Sequence, residues 1–186
     1  LTLPNSVTTI DNEAFYNCTS LNNISLSNNL TTINWGAFDS CTSLKTIHIP
    51  ASLSEAGIRW TNISHSNIGP FNNSGLETVT FEEGRTDLID GLFAGAVNLK
   101  EIAIPETVTR IGFRTFGGCS SLTNLVIPNS VTYIGAEAFN NCTGLETISM
   151  SNQLEEIGDS AFLNCTSLTS VSLPNTVTSM GTYVFA

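Results

Sequence analysis

Residues Leu122–Gly144 read LTNLVIPNSVTYIGAEAFNNCTG, and Leu145 begins the same pattern again, so the unit is 23 residues long. The apolar residue before the proline position recurs at Leu3, Leu26, Ile49, Phe81, Ile104, Ile127, Met150 and Leu173. The steps between them are 23 residues, except for one step of 32 that carries a nine-residue insertion. This period predicts a solenoid, because a unit of this size can bury its apolar face only against the next unit.

Each unit opens with the pattern L-x-x-I-x-L, whose last two apolar residues alternate as in a strand with one buried face. Ile24 and Leu26 should therefore point inward, and Asn23 and Ser25 outward. A proline ends the strand in five units, because it lacks the N–H donor of the ladder. Successive strands are expected to form a parallel sheet, with right-handed crossovers between them.

The second half of the unit carries an inward pair such as Val131 and Ile134, then a small or polar residue, then a segment A-F. The small position is held by Gly112, Gly135, Gly158, Gly181, Asp11 and Asn34, with Ile89 as the exception. Because Gly, Asn and Asp tolerate a left-handed backbone, we predict positive φ there. The A-F segment is expected to form a turn or a single helical coil that buries one phenylalanine per unit.

The motif L-x-x-I-x-L is that of a leucine-rich repeat strand, and the rest of the unit closely resembles the BspA-like class of these repeats. Residues 173–181 and 160–168 match the pattern of that class, and the resemblance covers essentially the whole chain apart from the insertion. It implies a secreted or surface-attached protein of the kind found in host-associated bacteria and some parasitic protists. Several members of the class act as adhesins that bind host proteins or other microbes.

These patterns predict an α/β fold: a right-handed leucine-rich repeat solenoid of about eight 23-residue units. The parallel sheet would line its concave face, with turns and short helical segments on the convex face. We expect a single domain over residues 1–186 that starts and stops in mid-repeat, as a piece of a longer protein. Since capping repeats normally keep a solenoid soluble, the piece should fray or associate end to end.

Five cysteines, Cys18, Cys41, Cys119, Cys142 and Cys165, occupy one place in successive units, and Asn73 and Ala96 fill that place in the two middle units. Stacked cysteines would be close enough for a disulfide, but their Cβ vectors should run parallel, which disfavours the bond. We expect buried free thiols in a core ladder. A disulfide and a metal site remain the alternatives. Asn17, Asn141 and Asn164 precede cysteines in N-C-T triplets, where Asn and Thr can close turns.

Charge and composition exclude several classes of function. The formal net charge is −10, so nucleic acid and anionic membranes are poor partners. No apolar run is long enough to predict a membrane span. The two histidines, His48 and His65, lie 17 residues apart and form no metal or triad constellation. The chain also lacks a phosphate-binding loop and a nucleophile elbow, so neither an enzyme nor a cofactor site is expected.

The outward face of the predicted sheet is the first candidate for binding. Its first column reads Asn23, Thr46, Thr78, Glu101, Asn124, Thr147 and Ser170, and its second reads Ser25, His48, Thr80, Ala103, Val126, Ser149 and Ser172. Solenoids commonly bind through such extended faces. This face is small, polar and nearly free of aromatic side chains, so it lacks strong hot-spot residues. A merely solvated sheet face is the alternative interpretation.

The insertion, residues 56–73, is the second candidate. It carries Arg59, Trp60, His65 and Phe71 in the one irregular stretch of a regular array. Insertions in repeat proteins map to loops on one face, and those loops often bind. The alternative is that Trp60 and Phe71 fill the core where the phenylalanine ladder is interrupted.

The leading hypothesis is a non-enzymatic protein-binding module of a surface or secreted leucine-rich repeat protein, an adhesin whose partner is a host matrix or cell-surface protein. A second hypothesis is a structural spacer that displays another domain and has no ligand of its own. A third is a carbohydrate-binding surface in which Trp60 stacks on a sugar ring.

Overall fold

The computed structural model describes residues 1–60 and 67–186, while residues 61–66 and the side chains of Trp60 and Asn67 lie outside that description. The chain winds through about seven turns of a parallel β-solenoid of the right-handed type. The described strands are β1 (Thr9–Ile10), β2 (Thr32–Ile33), β3 (Thr46–Ile49), β4 (Glu55–Ala56), β5 (Arg59–Trp60), β6 (Asn67–Ile68), β7 (Thr78–Phe81), β8 (Asp87–Leu88), β9 (Glu101–Ile102), β10 (Arg110–Ile111), β11 (Asn124–Val126), β12 (Tyr133–Ile134), β13 (Thr147–Ser149), β14 (Glu156–Ile157) and β15 (Ser179–Met180).

The L-x-x-I-x-L segments form parallel strands in separate blocks on one side of the core, which we together call the LxxIxL sheet. β3, β7 and β9 pair in the order of the chain, and β11 pairs with β13. The inward residues Ile24, Ile47 and Leu125 are buried, as the alternation predicts. The assignment of this sheet to the concave side and the count of eight units stay predictions.

The V-T-x-I segments form a second set of parallel strands that the sequence analysis did not predict, and we call it the VTxI sheet. One block contains β1, β2 and β4, and the other contains β8, β10, β12, β14 and β15 in that spatial sequence. Equivalent residues are in register, for example Arg110 with Tyr133 and Ile111 with Ile134. The inward isoleucines of this pair are fully buried, so the second sheet closes the other side of the core.

A continuous stack of phenylalanine rings runs through the core. Phe15 and Phe38 have ring centroids 5.1 Å apart, and so do Phe139 and Phe162. Phe71, from the insertion-bearing unit, lies 5.2 Å from Phe38 and 6.0 Å from the ring of the next unit. Phe71 therefore belongs to the core and keeps the ladder unbroken across the insertion.

The A-F segments are turns. Throughout the described residues no helix forms, so the predicted helical segments are not confirmed. Left-handed residues interrupt each turn, as Glu137 with φ 54° and Asn141 with φ 60° do on either side of Phe139. An α-helix of L-residues does not continue through such residues. Asn17 and Asn164 adopt the same conformation, which gives the N-C-T triplets a structural role.

The prediction of positive φ at the small position is wrong. None of Gly112, Gly135, Gly158, Gly181, Asp11 and Asn34 is among the residues with positive φ. These glycines are needed for close approach instead: a Cβ on Gly158 would overlap the backbone nitrogen of Ala136 in the preceding coil. In the units that carry glycine here, the neighbouring coil is too close to admit a side chain without a shift of the backbone.

The insertion leaves the solenoid as an antiparallel hairpin of β5 and β6. The backbone N–H of Gly57 donates to the carbonyl of Ile33 at 2.9 Å, and that of Gly36 donates to the carbonyl of Gly69 at 3.0 Å. The regular coil therefore stops after Gly57 and resumes at Gly69. The hairpin occupies the middle of the predicted insertion, residues 56–73.

Candidate functional site

The outward positions of the LxxIxL sheet lie where the sequence predicts them. The candidate residues in the two columns are all exposed: Asn23, Ser25, Thr46, His48, Thr78, Thr80, Glu101, Asn124, Thr147 and Ser149. Thr46, Thr78 and Glu101 follow one another in strict register across three strands. Their placement is confirmed, while their role in binding stays a prediction.

Two hydrogen bonds join neighbours within these columns. His48 Nδ1 lies 2.9 Å from Thr80 Oγ1, and Thr147 Oγ1 donates to Asn124 Oδ1 at 2.6 Å. Because each bond connects adjacent coils, it orders two side chains that would otherwise rotate freely. A surface ordered before binding loses less conformational entropy when a partner contacts it.

A network of three charged side chains borders the first column. The only two lysines of the chain, Lys45 and Lys100, approach the carboxylate of Glu77 at 3.1 Å and 2.8 Å. Hydrogen bonds from Lys100 and Lys45 hold the pKa of Glu77 below its ordinary value. All three residues occupy the same place in successive units, immediately before Thr46, Thr78 and Glu101. The repeat pattern alone does not predict this cluster, although its members fall in one column when the units are aligned.

The LxxIxL sheet is not continuous. Within the described residues, no backbone hydrogen bond joins the segment 23–26 to β3, or β9 to β11. A cleft opens at each of these breaks. The first has a volume of about 420 Å³ and is lined by His48, Thr80 and their neighbours, and the second has about 490 Å³ and contains Val126. The face is therefore grooved at two places.

The candidates in the insertion separate into three cases. The guanidinium of Arg59 lies 4.7 Å from the ring centroid of Trp35, so this exposed side chain is stacked on the body of the solenoid. Phe71 is in the core and is not available to a partner. The side chain of Trp60 and the whole of His65 lie outside the described residues, so their predicted roles stay predictions.

Arg85 is a buried cation that the repeat pattern does not predict. It stands where other units carry an inward Val or Leu, and its guanidinium donates to the carbonyls of Pro50 at 2.9 Å and Leu53 at 2.6 Å. Burial lowers the pKa of Arg85, and the nearby Asp87 opposes that shift. In the described chain β4 and β8 are not paired, so Arg85 bridges the two blocks of the VTxI sheet where ladder bonds are missing.

Four cysteines form the predicted ladder of buried free thiols, and the fifth, Cys18, is exposed. Each buried thiol donates to a phenylalanine carbonyl of the preceding unit, for example Cys142 to Phe116 at 3.1 Å. Burial raises the pKa of Cys41 and of Cys165 to about 11. Such thiols are poor nucleophiles and poor metal ligands, because both roles need the thiolate.

One assignment in this ladder needs correction. Ser74, rather than Asn73, fills the cysteine place in the insertion-bearing unit, where it is fully buried and its hydroxyl donates to the carbonyl of Phe71 at 2.8 Å. Compared with a regular unit, the step from Phe38 to Phe71 is ten residues longer and the step from Phe71 to Phe93 is one residue shorter. The cysteine place therefore falls at Ser74 and not at Asn73.

The described part of the chain holds no group of three or more His, Cys, Asp or Glu side chains placed to bind a metal ion. In that same part, no helix reaches the length and apolarity of a membrane span. What the surface offers chemically is a set of hydroxyl, amide and imidazole groups that can donate and accept hydrogen bonds.

Comparison with solved structures places this architecture among bacterial leucine-rich repeat proteins. A leucine-rich repeat protein of T. pallidum is 28% identical with a TM-score of 0.61, and the match covers 100% of this chain and 74% of that one. A leucine rich cell surface protein of Faecalibacterium prausnitzii is 28% identical with a TM-score of 0.54, over 97% of this chain and 56% of that one. A leucine-rich repeat protein of Bacteroides ovatus is 26% identical with a TM-score of 0.53, over 82% of this chain and 43% of that one. This chain therefore spans only about half of the latter two proteins.

No curated protein sequence matches the chain. The family described as BspA type leucine rich repeat region matches in six copies, over residues 1–88 and 61–186. Leucine-rich repeat domains generally mediate protein–protein interactions, and this family is a repeat family rather than a catalytic one. The chain belongs to the BspA type leucine-rich repeat family.

Proposed function

We propose that this chain is the protein-binding module of a surface-attached or secreted protein and that it binds its partner, an adhesion ligand, through the outward face of the LxxIxL sheet. The observation that carries the proposal is the pair of exposed columns, in which cross-strand hydrogen bonds order His48 with Thr80 and Asn124 with Thr147. Binding of this kind uses shape and many weak polar contacts, because the face lacks Trp, Tyr and Arg anchors.

The proposed surface location rests on the description of a protein to which the chain is similar. One similar protein, 28% identical, is described as a leucine rich cell surface protein. The net charge of −10 and the scarcity of lysine favour a protein partner over nucleic acid.

A structural spacer without a ligand is the second candidate. It is the alternative for a chain whose outward sheet face is small, polar and nearly free of aromatic side chains. A carbohydrate-binding role through Trp60 stays a prediction and is separated by the same experiment.

The test is capture of purified host matrix proteins and of extracts from microbial surfaces on the immobilised chain. Wild type is compared with Thr78→Arg/Thr147→Arg, which places charge and bulk on the LxxIxL face, and with Trp60→Ala. Loss of a captured protein in the double variant supports the proposal. Capture that neither variant changes contradicts binding at these two surfaces, and loss of glycan binding in Trp60→Ala alone favours the carbohydrate role.

A further inference from the structure

Val126 is an exposed apolar residue on the mostly polar LxxIxL face. It occupies a column that elsewhere holds Ser25, His48, Thr80, Ala103, Ser149 and Ser172, and it is 68% exposed. The other exposed large apolar side chains in the described chain lie in its first or last coils. Apolar side chains that are exposed singly are common on protein surfaces, so the case for a contact site here depends on the cleft beside Val126.

The sheet opens directly beside Val126. β11 pairs with β13 on one side, but in the described chain no backbone hydrogen bond connects it with β9 on the other. The resulting cleft has a volume of about 490 Å³ and an apolar floor of Ile102, Ala103 and Pro128. Unpaired main-chain groups of the two strand edges line it, and an extended segment can bond to such groups. The volume lies in the range of about 300–1,000 Å³ that is usual for ligand sites.

The charged side chains on the rim of the cleft that have no ion-pair partner are negative. Glu101 and Glu106 are exposed and have no ion-pair partner among the described residues. The lysine on the rim, Lys100, is already engaged by Glu77 at 2.8 Å. Two free carboxylates beside an apolar floor complement a side chain pair in which one member is apolar and the other is cationic.

We infer that this cleft is the anchor site of the LxxIxL face and that it binds a protein segment with an aliphatic side chain next to a lysine or arginine. The aliphatic side chain covers Val126, and the cation contacts Glu101 and Glu106. This inference rests on the proposed function and adds to it the chemistry that selects the partner.

The test uses three fluorescein-labelled, capped peptides of equal length whose central pairs are Leu-Arg, Leu-Glu and Ser-Arg. Fluorescence anisotropy measures their affinity for the chain, and methyl NMR of the wild type locates the contact. The Leu-Arg peptide should shift the Val126 methyl resonances and bind at least about tenfold more tightly than the other two. Equal affinity for all three peptides, or binding that leaves the Val126 methyls unmoved, overturns the inference.

Matched variants separate the two parts of the site. Val126→Ser restores the polar residue typical of the column and should lower the affinity for Leu-Arg to that for Ser-Arg. Glu101→Gln/Glu106→Gln should remove the preference for Leu-Arg over Leu-Glu. Val126→Ser/Ser149→Val moves the valine one coil along to β13, away from the cleft between β9 and β11, and should not regain binding; full recovery there overturns the role of the cleft.

The inference and the proposed function fail in different ways. If Leu-Arg does not bind at Val126 while Thr78→Arg/Thr147→Arg still abolishes capture of a protein, the anchor site is wrong and the proposed function stands. If that double variant leaves capture unchanged, the proposed function fails whatever the peptides do.

Discussion

A Cβ atom on Gly135 would lie 2.7 Å from the carbonyl carbon of Gly112 in the preceding coil. That separation is shorter than carbon atoms tolerate without a shift of the backbone. The corner between the VTxI strand and the A-F turn is thus a close contact between neighbouring coils that a residue change can probe.

Gly135→Ala should therefore destabilise the chain by about 1–3 kcal/mol through overpacking. Gly117→Ala is the control, because its Cβ would meet no atom closer than 3.5 Å and its backbone is not left-handed. Urea unfolding followed by circular dichroism measures both. Equal stability of the two variants would show that the corner relaxes without cost.

The thiols give a second prediction. Ellman's reagent should titrate one thiol, Cys18, in the native chain and all five cysteines in guanidinium chloride. Burial of Cys41, Cys119, Cys142 and Cys165 raises the pKa of each thiol and keeps reagent out. Cys18→Ser should abolish the native reaction. Rapid reaction of two or more thiols in the native chain would contradict the buried ladder.

Arg85 carries the third prediction. Arg85→Met should destabilise the chain by about 1–3 kcal/mol, because the buried carbonyl of Leu53 loses its donor and that of Pro50 keeps only the N–H of Leu53. Val131→Met at the equivalent place of another unit is the control for side-chain volume. Stabilisation by Arg85→Met would mean that desolvation of the guanidinium costs more than its bonds contribute.

The ion pair at Glu77 predicts a dependence on pH. The pKa of this carboxyl is held below its ordinary value of 4.5, so its contribution to stability is present above that pH and is lost as the pH falls through the folded value. The difference in urea midpoint between wild type and Glu77→Gln should therefore shrink towards zero on acidification, and also in high salt. The same substitution at Glu146, which has no lysine beside it, is the control. A difference that persists unchanged in acid would contradict this account.

The sequence predicts the repeating parts of the fold well, because period-two alternation fixes which side of a strand is buried. His48 and Thr80 could be placed on the outward face for that reason. The corner glycines were misinterpreted, since composition alone cannot distinguish a left-handed backbone from a close approach between coils. Both demands favour glycine, and only the stacked geometry shows that Gly135 meets the second.

The remaining errors come from the insertion and from departures within single units. The shift of one residue around Phe71 placed Asn73 where Ser74 stands, because spacing was counted through an irregular segment. The residue pattern does not predict the role of Arg85, because a cation in an apolar column can be interpreted only when the carbonyls that it binds are known. The cleft at Val126 exists because β9 and β11 are not paired, and the residue pattern does not predict which strands pair.

The most direct test of the central claim is the affinity of a captured protein ligand, measured by biolayer interferometry, for two matched variants. Thr78→Arg/Thr147→Arg alters the LxxIxL face, and Thr32→Arg/Ser179→Arg alters the VTxI face by the same chemistry. Binding through the LxxIxL face predicts at least about a tenfold loss in the first variant and unchanged affinity in the second. Loss in the second variant with full affinity in the first would contradict it.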